Sequence, residues 1–236
     1  MIENEDYVTV EGIRFQSTPG NTVCYPLWVR DDADHITVRR CMFLGEGNRT
    51  ISYGVHTDAE VDYLVVENCI FYHVDNDGIY NKNRTRTQAG WRVVNNTFYH
   101  CGVGVRVVEG AMGSPGDDLV MANNLFISPL SGYALHAGNS DAGFTINIEN
   151  CGFYGIRGGL VKYPGTGNTY NYADTLMERN PDFVLTDSLQ WNNTDFLRPR
   201  TLEVTAGGID TVYTPDIDFF KTQRGSQITI GGVEGK

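Results

Sequence analysis

The chain has 236 residues, of which 41% are hydrophobic and 20% are charged. This apolar fraction is typical of a globular protein with a sizeable core. The 29 acidic residues outnumber the 18 basic residues, and the net charge of -11 opposes binding to phosphate backbones and to anionic membrane surfaces. We therefore expect no nucleic-acid partner and no membrane partner.

The first residues, Met1 to Asp6, are acidic and are not followed by a long apolar segment. A secretory leader begins with basic residues and continues with an apolar stretch, and a membrane span is longer still. We expect neither in this chain. The five cysteines are an odd number and include no CxxC pair, so at least one thiol stays free and buried packing is their expected role.

A nine-residue pattern recurs along the chain. The six copies begin at residues 7, 35, 63, 91, 118 and 145, at offsets of 28, 28, 28, 27 and 27. In chain order they read YVTVEGIRF, HITVRRCMF, YLVVENCIF, WRVVNNTFY, DLVMANNLF and TINIENCGF. A period held over six copies predicts a solenoid in which each repeat forms one coil.

Apolar residues alternate within each copy, as they do in a strand with one buried face. We expect three inward columns, in which each residue stacks on its counterpart in the next coil. The columns are Val8, Ile36, Leu64, Leu119 and Ile146; Val10, Val38, Val66, Val94, Met121 and Ile148; and Phe15, Phe43, Phe71, Tyr99, Phe126 and Phe153. Arg92 interrupts the first column, which indicates a local distortion, a partner for a buried charge or an incorrect register.

A second apolar strand follows in each copy. Its inward residues are predicted to be Leu27, Val55, Ile79, Val105, Leu135 and Val161. The residues after them then point outward in one row, which contains Trp28, His56, Tyr80, Arg106, His136 and Lys162. Aromatic rings, histidines and cations in one row are suited to holding a sugar polymer, although outward residues of a solenoid can equally be solvated polar groups.

In each repeat, an apolar strand is followed by Asn, a small residue, any residue, Phe and then a Gly-containing apolar strand. This order resembles that of the right-handed parallel β-helix repeat proteins, the pectate-lyase-like superfamily, which includes phage-associated members. The resemblance covers residues 5 to 165. It implies an all-β fold, a right-handed parallel β-helix of about six coils with an irregular C-terminal cap. The expected division is coils over residues 1–165 and a capping segment over residues 166–236 that packs on the same solenoid.

Members of this superfamily act on acidic polysaccharides, bind glycans or serve as virus components, so the resemblance leaves the function open. In a polysaccharide lyase, Arg106, His136 and Lys162 would be the catalytic candidates. A glycoside hydrolase needs two carboxylates, and Asp75 and Asp77 are the compact acidic pair beside a strand. The sequence Asp75-Asn76-Asp77-Gly78 is also ordinary turn chemistry.

Acidic residues on neighbouring coils suggest a weak calcium site. Its oxygen ligands would come from Asp58, with Glu60 beside it, and from Asp75 and Asp77. One acidic loop is little support, so no cofactor is expected and Ca²⁺ is the alternative.

The outward side of the first strand predicts an interface. One outward column contains Tyr7, His35, Tyr63 and Trp91. The next column contains Thr9, Thr37, Val65, Val93 and Val120. A semi-apolar strip of this kind usually meets another surface. We expect Tyr7, Tyr63, Val65, Trp91 and Val93 to contact another copy of the chain or other structural subunits.

The strip and an uncapped first coil favour a non-enzymatic structural protein of a virion or extracellular assembly, such as a capsid-decorating or tail-associated β-helix that also binds glycans. The alternative is a polysaccharide lyase or glycoside hydrolase that acts on an acidic polysaccharide. The first interpretation places the protein in a virion or outside the cell.

Overall fold

The protein is all-β in the part of the chain that the structure describes. The computed structural model describes residues 1–17, 20, 24–45, 51–58, 61–82, 90–107, 118–137, 145–164, 168–177, 180–183, 186, 190, 192–193, 196–200, 218–221 and 231–233. These residues form 21 strands in three parallel sheets. None of them belongs to a helix long and apolar enough to cross a lipid bilayer.

Sheet B contains the first strand of each coil, and neighbouring strands in it pair in parallel. Its strands are Thr9–Glu11 (β2), Thr37–Arg39 (β5), Val65–Glu67 (β8), Arg92–Val94 (β11), Asp118–Ala122 (β14), Thr145–Glu149 (β17) and Thr169–Ala173 (β20).

Sheet C contains the second strand of each coil. Its strands are Arg14–Gln16 (β3), Met42–Leu44 (β6), Ile70–Tyr72 (β9), Thr97–Tyr99 (β12), Leu125–Ile127 (β15), Gly152–Tyr154 (β18) and Leu176–Met177 (β21).

Sheet A contains the third strand of each coil, preceded by one short strand at the start of the chain. Its strands are Ile2–Glu3 (β1), Leu27–Arg30 (β4), Tyr53–Asp58 (β7), Asp77–Asn81 (β10), Val103–Val107 (β13), Tyr133–His136 (β16) and Gly159–Lys162 (β19).

Each coil runs through sheets B, C and A in turn, and six such coils lie between β2 and β19. The prediction of an all-β parallel β-helix of about six coils is confirmed. The pairing continues beyond residue 165, because β20 pairs with β17 and β21 pairs with β18. The ladders therefore extend to Met177, while the division into a coil region and a capping segment stays a prediction.

A column of phenylalanine rings fills the interior. Neighbouring ring centroids are 4.7 to 5.2 Å apart and the ring planes are nearly parallel. The column contains Phe15, Phe43, Phe71, Phe98, Phe126 and Phe153. One ring per coil at the strand spacing gives the core its continuous packing.

The fourth coil has a different register from the one that we predicted. Val93 pairs with Val66, and Phe98 pairs with Phe71, so that this repeat begins at residue 90 rather than 91. Val93 and Phe98 therefore occupy the column positions that we assigned to Val94 and Tyr99. Arg92 is exposed, so the apparent buried charge was an error of register.

The same shift overturns part of the predicted interface. Trp91 and Val93 are fully buried, and the Trp91 indole nitrogen donates a hydrogen bond to the Val61 carbonyl oxygen at 2.6 Å. Gly90 occupies the outward position instead, with a positive φ of 68°. A Cβ on Gly90 would lie 2.5 Å from the Tyr63 ring, so the Tyr63 ring takes the space that a side chain at position 90 would need.

Asparagines hold the corner between sheets B and C. Asn68, Asn95, Asn123 and Asn150 adopt positive φ, which asparagine tolerates better than most residues. Next to them, the Asn96 side-chain amide donates to the Asn124 side-chain oxygen at 3.0 Å. These bonds between coils satisfy buried polar groups and fix the turn.

The C-terminal segment packs on the outer face of sheet C. Phe196, Leu197 and Val233 are buried in one cluster together with Met42, Leu44, Ile70 and Tyr72. The Tyr72 hydroxyl donates to the Thr186 carbonyl oxygen at 2.9 Å. The described part of this segment thus lies along a side of the solenoid.

Candidate functional site

The six residues of the predicted outward row lie side by side on sheet A. They are paired in register across six neighbouring strands, in the order Trp28, His56, Tyr80, Arg106, His136 and Lys162. We call this set the sheet A row. Their inward neighbours, which include Val55, Ile79 and Val105, are buried in the core. Period-two alternation thus places the row as the sequence predicted.

The first half of the row is a stack of rings. The His56 ring lies between Trp28, at 5.7 Å and 4°, and Tyr80, at 5.1 Å and 14°. The Arg30 guanidinium lies 4.9 Å from the centre of the Trp28 ring, and the Arg106 guanidinium lies 5.4 Å from that of Tyr80. A cation therefore closes each end of the stack, which holds the rings in place.

Two tyrosines that we did not predict widen this aromatic surface. Tyr53 stacks on Tyr80 at 4.5 Å, and Tyr25 stacks on Tyr53 at 5.4 Å. Tyr25 is 41% exposed. Tyr25 and Tyr53 stand two residues before the inward Leu27 and Val55, where period-two alternation predicts an inward side chain, so the sequence pattern gave no signal for them.

Asp77 lies in the column beside the row and is fully buried. Its Oδ1 atom lies 3.1 Å from Nη2 of Arg106, whose side chain is 27% exposed. Burial raises the pKa of Asp77 from 3.8 to about 7, against the opposing effect of the positive charges of Arg106 and Lys162. We considered Asp77 as part of a turn with Asp75, but it begins strand β10 and only Asp75 is exposed.

Both histidines of the row are uncharged near neutral pH. Burial lowers the pKa of His56 to about 4. Burial, together with the positive charges of Arg106 and Lys162, lowers the pKa of His136 to about 4. Neutral imidazoles offer both a hydrogen-bond donor and an acceptor to a ligand.

Several buried polar atoms on this face have no hydrogen-bond partner among the described residues. They are Trp28 Nε1, both ring nitrogens of His56, the Asp77 carboxylate oxygens, Arg106 Nε and His136 Nδ1, with Arg106 meeting Asp77 only as an ion pair. Buried polar groups in folded proteins are nearly always satisfied. Their concentration along one row makes this face the candidate ligand surface.

The residues of the predicted calcium site do not come together. Asp58 lies 3.4 Å from the Lys82 ammonium, Asp75 is exposed in the turn and Asp77 faces Arg106. Within the described ranges, no three acidic, histidine or cysteine side chains are grouped as metal ligands. Glu60 lies outside those ranges.

What remains of the predicted interface strip is a stack of exposed rings. Tyr7 and His35 are 4.5 Å apart, and His35 and Tyr63 are also 4.5 Å apart. Tyr7 is 76% exposed, Tyr63 is 47% exposed and Val65 is half-buried.

Comparison with known proteins gives a family match. A family model described as a right-handed β-helix region matches residues 1–153, which is more than half of the chain. No curated protein and no solved structure matches it. The match covers the first five coils and most of the ladders described above, and the chain belongs to the right-handed β-helix family.

Proposed function

We propose that this β-helix protein binds an acidic polysaccharide on the outer face of sheet A. The observation that carries the proposal is the set of buried, unpartnered polar atoms along the sheet A row. Ring faces and polar groups that point to the same place are typical of ligand sites. An extended polymer suits them best, because the row crosses six strands rather than closing into a pocket.

Arg106 is the group best placed to receive an acid group of the ligand. The Asp77 Oδ1 atom lies 3.1 Å from Nη2 of its guanidinium, and part of the Arg106 side chain faces solvent. A guanidinium can form two parallel hydrogen bonds with a carboxylate. Asp77 is therefore a positioning residue, and Arg106 is the residue that touches the ligand.

Lys162 is a second cation on the same face. Its ammonium lies 5.0 Å from the centre of the Tyr163 ring and 5.9 Å from that of Tyr133. The chain as a whole carries a net charge of -11. Cations gathered on one face give a polyanion a local site on a protein that otherwise repels it.

Binding of the full chain to a panel of acidic and neutral polysaccharides tests this proposal by calorimetry. Arg106→Gln and Trp28→Ala should each weaken binding of an acidic polymer about tenfold or more, since each removes a direct contact. Arg92→Gln on sheet B is the matched control and should leave the affinity unchanged. Absence of binding to every polymer, or equal loss in the Arg92 and Arg106 variants, would overturn the proposal.

A second candidate function is cleavage of the bound polymer by β-elimination. The observation that favours it is the neutral His136 imidazole between two cations, Arg106 and Lys162. His136 would remove the proton next to a uronate carboxyl group, and the cations would stabilise the developing negative charge. The bond to the leaving sugar oxygen would then break, that oxygen would take up a proton, and a carbon–carbon double bond would form.

Ultraviolet absorbance below the aromatic side-chain bands distinguishes cleavage from binding, because the new double bond is conjugated with the carboxylate. A rise in absorbance that His136→Ala abolishes, while binding persists, is expected for a lyase. If a polymer binds without any rise in absorbance, the result contradicts cleavage and agrees with binding alone.

An assembly function in a virion or extracellular structure stays a prediction. Fewer residues support it than we predicted, because Trp91 and Val93 are buried. The exposed ring stack consists of Tyr7, His35 and Tyr63. Glycan binding and assembly are compatible, because the ring stack lies in the bends before the sheet B strands and the row lies on sheet A.

A further inference from the structure

The two cations of the sheet A row stand two coils apart. Arg106 lies in β13 and Lys162 lies in β19, and His136 in β16 is paired in register between them. Neighbouring strands of a parallel sheet are about 4.8 Å apart, so the two cationic positions are separated by roughly 10 Å along the row.

Each position of this pattern is held by its neighbours. Arg106 is fixed by Asp77 on one side and by the Tyr80 ring on the other. Lys162 lies beside the rings of Tyr133 and Tyr163. His136 is half-buried and its ring packs 5.2 Å from the Tyr163 ring. The alternation of cation, neutral ring and cation is thus a property of the folded surface and not of freely moving side chains.

The pattern matches the length of a sugar. A pyranose residue in an extended polysaccharide advances the chain by about the spacing of one strand, so a polymer along the row places one sugar on each coil. Sugars on the coils of Arg106 and Lys162 then meet a positive charge, and the sugar between them meets His136.

We propose that the sheet A row selects polysaccharides in which acidic and uncharged sugars alternate, with one carboxylate per disaccharide. This inference rests on the proposed binding of an acidic polysaccharide to the same face, and it is an alternative to β-elimination by His136, which would require a uronate on the coil of His136. If a polymer of uronates turns every carboxylate towards this face, the middle carboxylate loses water against His136 without gaining a cation, which opposes binding. The low pKa of His136 agrees with this, because its ring carries no charge at neutral pH.

Calorimetry with size-matched oligosaccharides tests the inference at constant ionic strength. The alternating probes are oligosaccharides of hyaluronan and of unsulfated chondroitin, and the homouronan probes are oligogalacturonate and oligomannuronate. Two probes of each class separate charge spacing from the stereochemistry of any one sugar. We expect the alternating probes to bind about fivefold more tightly, as one unmatched charge pair on a partly exposed surface would give.

Two variants change the charge spacing itself. His136→Lys supplies the missing cation and should raise the affinity for homouronans until they bind as tightly as the alternating probes or more tightly. Lys162→Gln removes one of the two matched cations and should lower the preference for the alternating probes towards one. Lys221→Gln, at an exposed position near the C-terminus, is the control and should keep the wild-type preference.

The outcomes separate this inference from the function on which it rests. If none of the four probes binds, the proposed polysaccharide binding is overturned as well. If the homouronans bind as tightly as the alternating probes to the wild-type protein, only the alternation is overturned. Should His136→Lys fail to fold, Lys162→Gln decides alone, and an unchanged preference in that variant contradicts the inference.

Discussion

Asp77 shows at the scale of one residue how the fold changes the chemistry of a common side chain. A carboxyl group in a turn would be solvated and charged, but this one is fully buried against Arg106. Desolvation disfavours the charged form, and a single nearby cation only partly offsets it. Arg106 is consequently anchored by a group that is only about half ionised at neutral pH.

The raised pKa of Asp77 predicts how the stability depends on pH. Because the folded pKa of about 7 exceeds the ordinary value of 3.8, the folded protein binds the proton more tightly than the unfolded chain. The contribution of Asp77 to stability is fully present below that ordinary value and is lost as the pH rises through about 7. Asp77→Asn removes this loss, so the variant should gain stability relative to wild type as the pH rises, by up to about 4 kcal/mol.

Urea unfolding of both proteins at about pH 4 and about pH 8 measures this difference. Asp75→Asn is the control, because Asp75 is exposed. If the free energies of unfolding of wild type and Asp77→Asn differ by the same amount at both pH values, Asp77 does not titrate as described.

At the scale of the strand, the β-helix depends on small residues opposite the phenylalanine column. Gly54 and Gly78 face the rings of Phe71 and Phe98, and a Cβ on either glycine would lie 2.7 Å from the ring. In these coils the phenylalanine ring takes the space that a side chain on the facing glycine would need. The Gly-apolar strand of the repeat is thus the complement of the phenylalanine column.

Replacing one of these glycines should overpack the core. A Cβ on Gly78 would also approach the carbonyl oxygen of Gly104 at 2.8 Å, and that backbone cannot move without disturbing the ladder. We expect Gly78→Ala to lower the free energy of unfolding by about 1–3 kcal/mol. Thermal or urea unfolding provides the measurement.

A second substitution separates overpacking from other effects of this change. Phe98→Leu makes room beside Gly78, so the double variant should be less destabilised than the sum of the two single variants. Strict additivity would show that the Phe98 ring is not the group against which the new methyl packs.

At the scale of the whole molecule, the C-terminal segment turns an exposed apolar sheet face into a second core. Outward residues of sheet C, among them Met42, Leu44 and Ile70, would otherwise be exposed to water. Phe196 and Leu197 are fully buried against this face. The segment therefore stabilises the solenoid from its side, and sheet A retains the polar row.

Phe196→Ala tests this arrangement. Removing a fully buried ring should lower the free energy of unfolding by about 3–5 kcal/mol, and amide hydrogen exchange should speed up in β6 and β9, against which it packs. Phe220→Ala is the matched control, since Phe220 is only partly buried and should cost less. Unchanged exchange in β6 and β9 would show that the segment does not protect sheet C.

The assembly prediction also belongs to this scale. Light scattering across a dilution series measures the mass of the protein in solution. If the exposed stack is an interface, the wild-type protein should form a closed oligomer, and Tyr7→Ser with Tyr63→Ser should shift it towards the monomer. A monomeric wild-type protein at all concentrations would contradict the assembly function and leave the polysaccharide site unaffected.

The sequence by itself determined the fold and the sheet A row. Strands stack in register when the repeat length is nearly constant, so the period and the alternation of apolar residues were sufficient to predict which residues share a column. The same reasoning was wrong in the fourth coil, because Trp91-Arg92-Val93-Val94 contains too many apolar residues for alternation to choose between two registers. There, the contact between Gly90 and the Tyr63 ring identifies the correct one.

Only the tertiary structure decided which polar residues are chemically unusual. Asp77 looked like a turn residue, and its burial depends on Arg106 in the next coil and on the tyrosines beside it. The path of the C-terminal segment along sheet C also left no periodic signal, because its contacts join residues more than one hundred positions apart. Repeats determine contacts between neighbouring coils, whereas burial, pKa values and long-range packing depend on all three sheets being assembled.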